Sequence, residues 1–171
     1  MQFNVAALLK ESTGATREYD IDDDLRVDGE KHHVTGHARF DRTPRGVLVR
    51  ASLTGTMSGE CSRCLHPIEY PVEFDLDEEY VPMVDVNTGV HVETDETTED
   101  AYRINARHVL DLTEAAAQYW TLALPLAPVC SEDCAGLCPD CGAELAAEPH
   151  TCPVEHGDAR WAKLSDLRPR Q

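Results

Sequence analysis

Lys31–Leu53, KHHVTGHARFDRTPRGVLVRASL, is the stretch on which the fold turns. Val34, Gly36, Ala38 and Phe40 fall on one side of an extended chain, with Thr35, His37, Arg39 and Asp41 on the other. That period of two belongs to a half-buried strand. Pro44-Arg45-Gly46 interrupts it with turn residues, and Val47, Val49, Ala51 and Leu53 then resume it, so the segment predicts a β-hairpin. Outward toward the C-terminus, Gly55–Gly59 breaks the second strand just before Cys61-Ser62-Arg63-Cys64. A further strand follows, with Ile68, Tyr70, Val72, Phe74 and Leu76 on one face and Glu69, Glu73, Asp75 and Asp77 on the other. The C-x2-C therefore falls in the bend between two antiparallel strands, a rigid place to hold two sulfurs together.

The flanks are less regular. Val5–Leu9 suits either a short helix or a strand, and Tyr19–Gly29 reads as an acidic, turn-rich approach. Residues 84–100 (VDVNTGVHVETDETTED) are acidic with few apolar positions and predict an exposed, partly disordered loop. Asn105 reads as the N-cap of a helix from about Ala106 to Leu124, with an apolar stripe at Val109, Leu112, Ala116, Tyr119 and Ala123. Pro125 and Pro128 end it and lead into Cys130, and Asp158–Leu167 reads as a short terminal helix. The expectation is an α+β protein: a β-rich domain over 1–82, an acidic flexible loop over 83–103, one long helix over 104–128 packing on the sheet, and a zinc-knuckle segment over 129–171.

Charge and composition restrict the function. The 171 residues carry 32 acidic against 15 basic side chains, a formal net charge of −17. Such a surface repels nucleic acid as a whole and suits a basic protein partner. Between Arg63 and Arg103 there is no Lys or Arg. Short basic stretches (Arg39, Arg42, Arg45, Arg50; Arg160, Lys163, Arg168, Arg170) leave room for a local RNA contact. Aromatic residues make up 6%, which predicts a modest core of Val, Leu and Ala. Met1–Lys10 has no basic n-region and too short an apolar run for a signal peptide, and no stretch approaches the roughly 18 apolar residues of a membrane span. A cytoplasmic location is the expectation.

In a reducing compartment, cysteines at close spacing point to metal rather than disulfides. Seven are present: Cys61 and Cys64, then Cys130, Cys134, Cys138 and Cys141 within CSEDCAGLCPDC, and Cys152. Cys138-Pro139-Asp140-Cys141-Gly142 has the composition of a zinc knuckle, with Pro fixing φ into the turn and Gly letting the chain bend back toward sulfur. A closed zinc site takes four ligands. One partition is local: Cys130, Cys134, Cys138 and Cys141, with only three residues between its second and third ligands. The other uses every cysteine for two ions: Cys61, Cys64, Cys130 and Cys134 for one, and Cys138, Cys141, Cys152 and His156 for the other, with His150 as substitute for His156. A third use is redox, with Cys61 and Cys64 as a thiol pair. The acidic strand beside them argues for a raised thiol pKa and against that chemistry.

Other residues have plainer readings. His32, His33 and His37 read as a solvated polar strand face rather than a metal cluster, His66-Pro67 as shaping the knuckle turn with His66 as an alternative substitute ligand, and Trp120 and Trp161 as packing residues. No phosphate-binding loop, dinucleotide fingerprint, G-x-S-x-G or H-E-x-x-H occurs.

The order of these motifs resembles the YceD family, the large ribosomal RNA subunit accumulation proteins of bacteria and plastids. The resemblance lies in Gly59–Leu65 (GECSRCL) with its following strand, the exit Leu124-Pro125-Leu126, Cys130–Gly142, and Asp158–Leu164 (DARWAKL). Val5–Leu9 with Gly14 and Arg17 is similar to actinobacterial members. The chain departs from the family pattern after Cys141, where a close C-x-C gives way to Cys152-Pro-Val-Glu-His156, so His156 rests on spacing alone. The resemblance implies a non-catalytic role in accumulation or maturation of large-subunit (23S) rRNA. The acidity adds an expectation of its own: an adaptor for a basic ribosomal protein or assembly factor of the large subunit. A zinc-ribbon regulator that binds nucleic acid is a further alternative, and the net charge counts against it.

Overall fold

Both halves of the Lys31–Leu53 alternation are strands in the computed structural model, which describes residues 1–93 and 101–146. β3 (Glu30–Arg42) and β4 (Val47–Glu60) pair antiparallel with Phe40 opposite Val49 and Ala38 opposite Ala51. This register puts Val34, Ala38, Phe40, Val47, Val49, Ala51 and Leu53 together on the buried face. Each large apolar side chain so buried contributes roughly 1.5–3 kcal/mol, and a one-residue slip would expose the whole row. Gly46 closes the hairpin, where a Cβ would lie 2.0 Å from the Tyr80 carbonyl oxygen.

β2 (Thr16–Val27) corrects the reading of Tyr19–Gly29 as a turn-rich approach. It pairs with β3 over its full length, and Asp28-Gly29, with φ of 51° and 86°, forms the two-residue turn that Asp-Gly favours. Asp20, Asp22 and Asp24 obscure the strand from the solvent side while Ile21 and Leu25 point inward and are buried. Asp23 interrupts the inward row, and its carboxylate lies 3.3 Å from the Met1 ammonium.

β5 (Pro67–Pro82) follows β4, and β6 (Tyr102–Ile104) runs parallel to the end of β5, giving a five-stranded sheet in the order β2-β3-β4-β5-β6. β1 (Gln2–Asn4) and β7 (Val109–Asp111) form a separate antiparallel pair. The N-terminal segment that suited either element is helical, α1 (Ala6–Lys10), and buries Leu8 and Leu9. Residues 84–93 form a turn around Asp85, whose Oδ1 accepts from the backbone N–H groups of Asn87 and Thr88. The rest of the predicted acidic loop, 94–100, lies outside the described residues, as do 147–171 with the expected terminal helix and Trp161.

The expected 106–124 helix is shorter: α2 spans Thr113–Ala123. Asn105 caps a turn instead, its Oδ1 accepting from the N–H of Arg107 at 2.9 Å and of Val109 at 3.0 Å. His108 then takes a left-handed φ of 58°, which turns the chain into β7. α2 buries Ala115, Ala116 and Trp120. The Trp120 ring stacks on His32 with centroids 4.9 Å apart, so His32 is a buried partner of the core, whereas His33 and His37 stay on the polar face beside aspartates. Pro125 then favours the extended conformation seen at Leu124 and ends the helix.

The described residues are thus predominantly β-sheet with two short helices. Its contacts divide the chain into two units, one of residues 1–58 with 69–126, the other of 59–68 with 127–171. Among the described residues, no helix is long and apolar enough to cross a membrane.

Candidate metal centre

The second unit is built around the bend after β4. The Cys61 N–H donates to the His66 carbonyl at 2.8 Å and the Leu65 N–H to the Cys61 carbonyl at 2.9 Å. Leu65 takes a left-handed φ of 62°, a conformation that costs most side chains about 1–2 kcal/mol. The same pattern recurs at the second C-x2-C. Cys138 N–H donates to the Ala143 carbonyl at 2.7 Å, Gly142 N–H to the Cys138 carbonyl at 2.9 Å, and Gly142 has φ of 76°. The chain therefore makes one turn twice, with Gly at the left-handed position in one copy and Leu in the other.

The segment that carries Cys130 and Cys134 is fastened onto the first of these turns. Ser62 N–H donates to the Pro128 carbonyl at 2.8 Å and Leu137 N–H to the Arg63 carbonyl at 3.1 Å. Arg63 reaches back with Nη1 to the carbonyls of Glu132 at 2.9 Å and Cys134 at 3.1 Å. Gly136, at φ of 75°, passes so close that a Cβ would meet the Arg63 carbonyl oxygen at 3.0 Å. Neither the Arg63 clamp nor the left-handed Leu65 was visible in the spacing of the cysteines. Arg63 offered only its place inside C-x-R-C.

These bonds gather four sulfurs. Cys61 Sγ is 3.8 Å from Cys134 Sγ, Cys64 Sγ is 3.7 Å from Cys130 Sγ, and all four lie within 4.8 Å of one another. Four sulfurs placed tetrahedrally at the usual Zn–S length of about 2.3 Å would be about 3.8 Å apart. A disulfide needs about 2.05 Å. The donor set fits a tetrahedral, thiolate-preferring ion.

Cys130 and Cys134 thus turn toward Cys61 and Cys64, not toward Cys138 and Cys141. Ala135-Gly136-Leu137 is held against Arg63 and does not wrap back to close a local tetrad. Cys138 is buried and Cys141 exposed in their own turn. Cys152 and His156, and the substitute His150, lie outside the described residues. His66 Nε2 lies 3.1 Å from Glu144 Oε1, and its carbonyl accepts the Cys61 N–H within the turn.

The electrostatics of the cluster are uneven. The backbone N–H of Cys64, followed by those of Arg63 and Cys130, points at Cys61 sulfur and pulls its pKa down to about 6 against the opposing effect of burial. The acidic strand nearby does not set this thiol, contrary to the sequence-based expectation. At Cys64 the His66 N–H favours the thiolate, but burial and the three neighbouring sulfurs outweigh it and push the pKa up to about 12. Cys134 is also raised, first by its bond with Cys130. The group takes its first negative charge readily and resists the rest, which a bound dication would neutralise.

A sheet protein with a four-thiol centre assembled from a strand bend and a distant C-terminal segment is the class that fold and site define. Residues 49–168 match the family described as large ribosomal RNA subunit accumulation protein YceD, and the chain belongs to that family. Uncharacterized proteins of Mycobacterium tuberculosis and Mycobacterium bovis are 38% identical to it over 131 residues, covering 75% of this chain and 59% of theirs. One from Mycobacterium leprae is 31% identical over 129 residues, 75% of this chain and 56% of its own. The chain thus spans less than two thirds of the length of these relatives. No solved structure matches.

Proposed function

We propose that the protein is a non-catalytic factor for the accumulation of large-subunit (23S) rRNA, acting as an acidic adaptor that holds a basic ribosomal protein or assembly factor. The family match across residues 49–168, which includes the whole four-thiol cluster, carries this reading. The net charge of −17 supports a basic protein partner and a limited direct contact with RNA. The ion is zinc, bound by Cys61, Cys64, Cys130 and Cys134, and its role is structural: four thiolates leave no open position for substrate. A second zinc takes Cys138 and Cys141, whose turn repeats that of Cys61–Leu65, together with Cys152 and His156.

A thiol redox role has one observation in its favour, the lowered pKa of Cys61. Cys61 is fully buried, however, whereas a reactive thiol must meet its substrate. Metal counting separates the two. Native mass spectrometry is expected to find two zinc ions per chain, and Cys61→Ser to lose one of them. Retention of both ions in that variant would overturn the four-thiol site. For the adaptor, the tagged protein is expected to migrate with large-subunit precursors on a sucrose gradient and to leave that position after RNase treatment of the lysate. Recovery only at the top of the gradient, in rapidly growing cells, would overturn the on-ribosome reading.

A further inference from the structure

The adaptor reading leaves open where a basic partner is held, and β5 offers a place within the sheet unit. On one side β5 pairs with β4, as the bonds from Ser52 to Asp75 and from Arg50 to Asp77 mark. On the other side, β6 pairs with β5 only over Tyr80–Pro82. Backbone parity says which groups look outward there. The Tyr80 carbonyl faces the β4 side, at Gly46, while Met83 N–H donates to Ile104 on the β6 side. Odd-numbered residues therefore direct their N–H and C=O toward the β6 side. The Asp77 N–H agrees, meeting the Tyr119 hydroxyl of α2. Pro71 agrees too, since a proline in a strand belongs where no partner needs its N–H. Beyond Asp77, no described strand pairs with this edge from Glu69 to Asp75, which leaves the N–H groups of Glu69, Glu73 and Asp75 directed outward.

The side chains along this edge select an occupant. Glu69, Glu73 and Asp75 are exposed, and among the described residues none of them forms an ion pair. The acids of β2 differ in having neighbours on β3, Asp24 paired with Lys31 and Asp20 and Asp22 beside His37 and His33, which add charge only when protonated. The opposite face is apolar, with Val72 and Phe74 buried and Tyr70 half-buried. Leu122, 80% exposed, lies one helical turn beyond Tyr119 and so on the same side of α2. A strand laid on this edge would need basic side chains on one face and apolar ones on the other. A second copy of this chain is disfavoured, since it would set Glu69, Glu73 and Asp75 against their own counterparts.

We propose that the β5 edge from Glu69 to Asp75 is a docking site for an extended basic segment of a protein partner, added as a sixth strand with alternating basic and apolar residues. This deepens the adaptor reading and rests on it. The probe is a synthetic ten-residue peptide of alternating lysine and valine, compared with the same peptide N-methylated at every amide, which keeps the charge and cannot join a ladder. In the free protein, the amides of Glu73 and Asp75 should exchange rapidly with solvent. The plain peptide should slow them at least tenfold, and the methylated peptide should bind at least tenfold more weakly. Glu73→Lys combined with Asp75→Lys should weaken the plain peptide at least tenfold, with an unchanged melting temperature showing that the fold is kept. Slow exchange at these amides without peptide would show the edge already covered and overturn the assignment. So would equal binding of the methylated peptide, or no binding of either. If the peptide fails while the native protein still migrates with large-subunit precursors, the edge assignment falls and the adaptor reading stands.

Discussion

Asp41 shows how single side chains order the polar side of the sheet. Its carboxylate accepts from the Thr16 hydroxyl at 2.8 Å, Arg39 Nε at 2.9 Å and Arg50 Nη1 at 2.9 Å, joining β2, β3 and β4. Partial burial raises its pKa, but the hydroxyl and the two guanidinium groups outweigh that and hold it below the ordinary carboxylate value. A carboxylate lowered on folding contributes stability that is present above its unfolded pKa and is lost as pH falls through the folded one. Asp41→Asn should therefore cost about 1 kcal/mol near neutral pH, and the difference from the parent should fade in acid, as pH falls through the lowered folded-state value. Urea unfolding at neutral and acid pH checks this, and an equal deficit at both would remove the charge from the explanation. Gly55 is a second decisive residue. A Cβ there would lie 2.7 Å from both the His33 carbonyl oxygen and the Trp120 ring. In the sequence, the same glycine read only as a break before the cysteines.

At the scale of elements, legibility followed how many residues shared one message. β3, β4 and β5 each repeat an apolar–polar alternation over most of their length, so their pairing and buried face could be read directly. β2 carries the same inward row, but Asp23 breaks it and Asp20, Asp22 and Asp24 resemble a loop. The Asp28-Gly29 turn was the signal that outranked them. The start of α2 was misplaced because Asn105 serves a turn as readily as a helix, and because Val109 and Leu112 keep a helical spacing while lying in β7 and just before the helix. The cysteines showed their chemistry but not their grouping. Spacing is local, whereas Cys61 meets Cys134 across 73 positions through backbone bonds of Ser62, Arg63 and Leu137. Among the described residues of that unit, Cys61 and Cys138 are the buried apolar side chains. Metal should therefore stand in for a core, since structural zinc sites contribute on the order of 10 kcal/mol to folding. Chelation with EDTA should abolish amide protection in residues 59–66 and 128–145 while β2, β3 and β4 up to Ser58 remain protected, as read by hydrogen exchange. Equal loss in both units would mean that they unfold as one.

For the whole molecule, charge constrains association more than any single contact does. With 32 acidic and 15 basic residues, the field around the protein attracts basic chains and repels nucleic acid before any surface is touched. Asp24 of β2 is paired with Lys31, while Glu69, Glu73 and Asp75 form no ion pair among the described residues, so the excess should act along this edge, where a partner strand would arrive. Long-range attraction of this kind governs the rate of encounter, and short-range strand pairing governs the rate of release. The two respond differently to ionic strength, because the screening length falls from roughly 15 Å at 0.05 M to roughly 4 Å at 0.5 M salt. Association of the alternating lysine–valine peptide should therefore slow at least tenfold over that range while dissociation changes less than threefold. Stopped-flow fluorescence of a labelled peptide measures both. An association rate indifferent to salt would mean that the net charge serves only solubility. A salt effect confined to dissociation would place the charged contacts within the bound complex, with no part in steering.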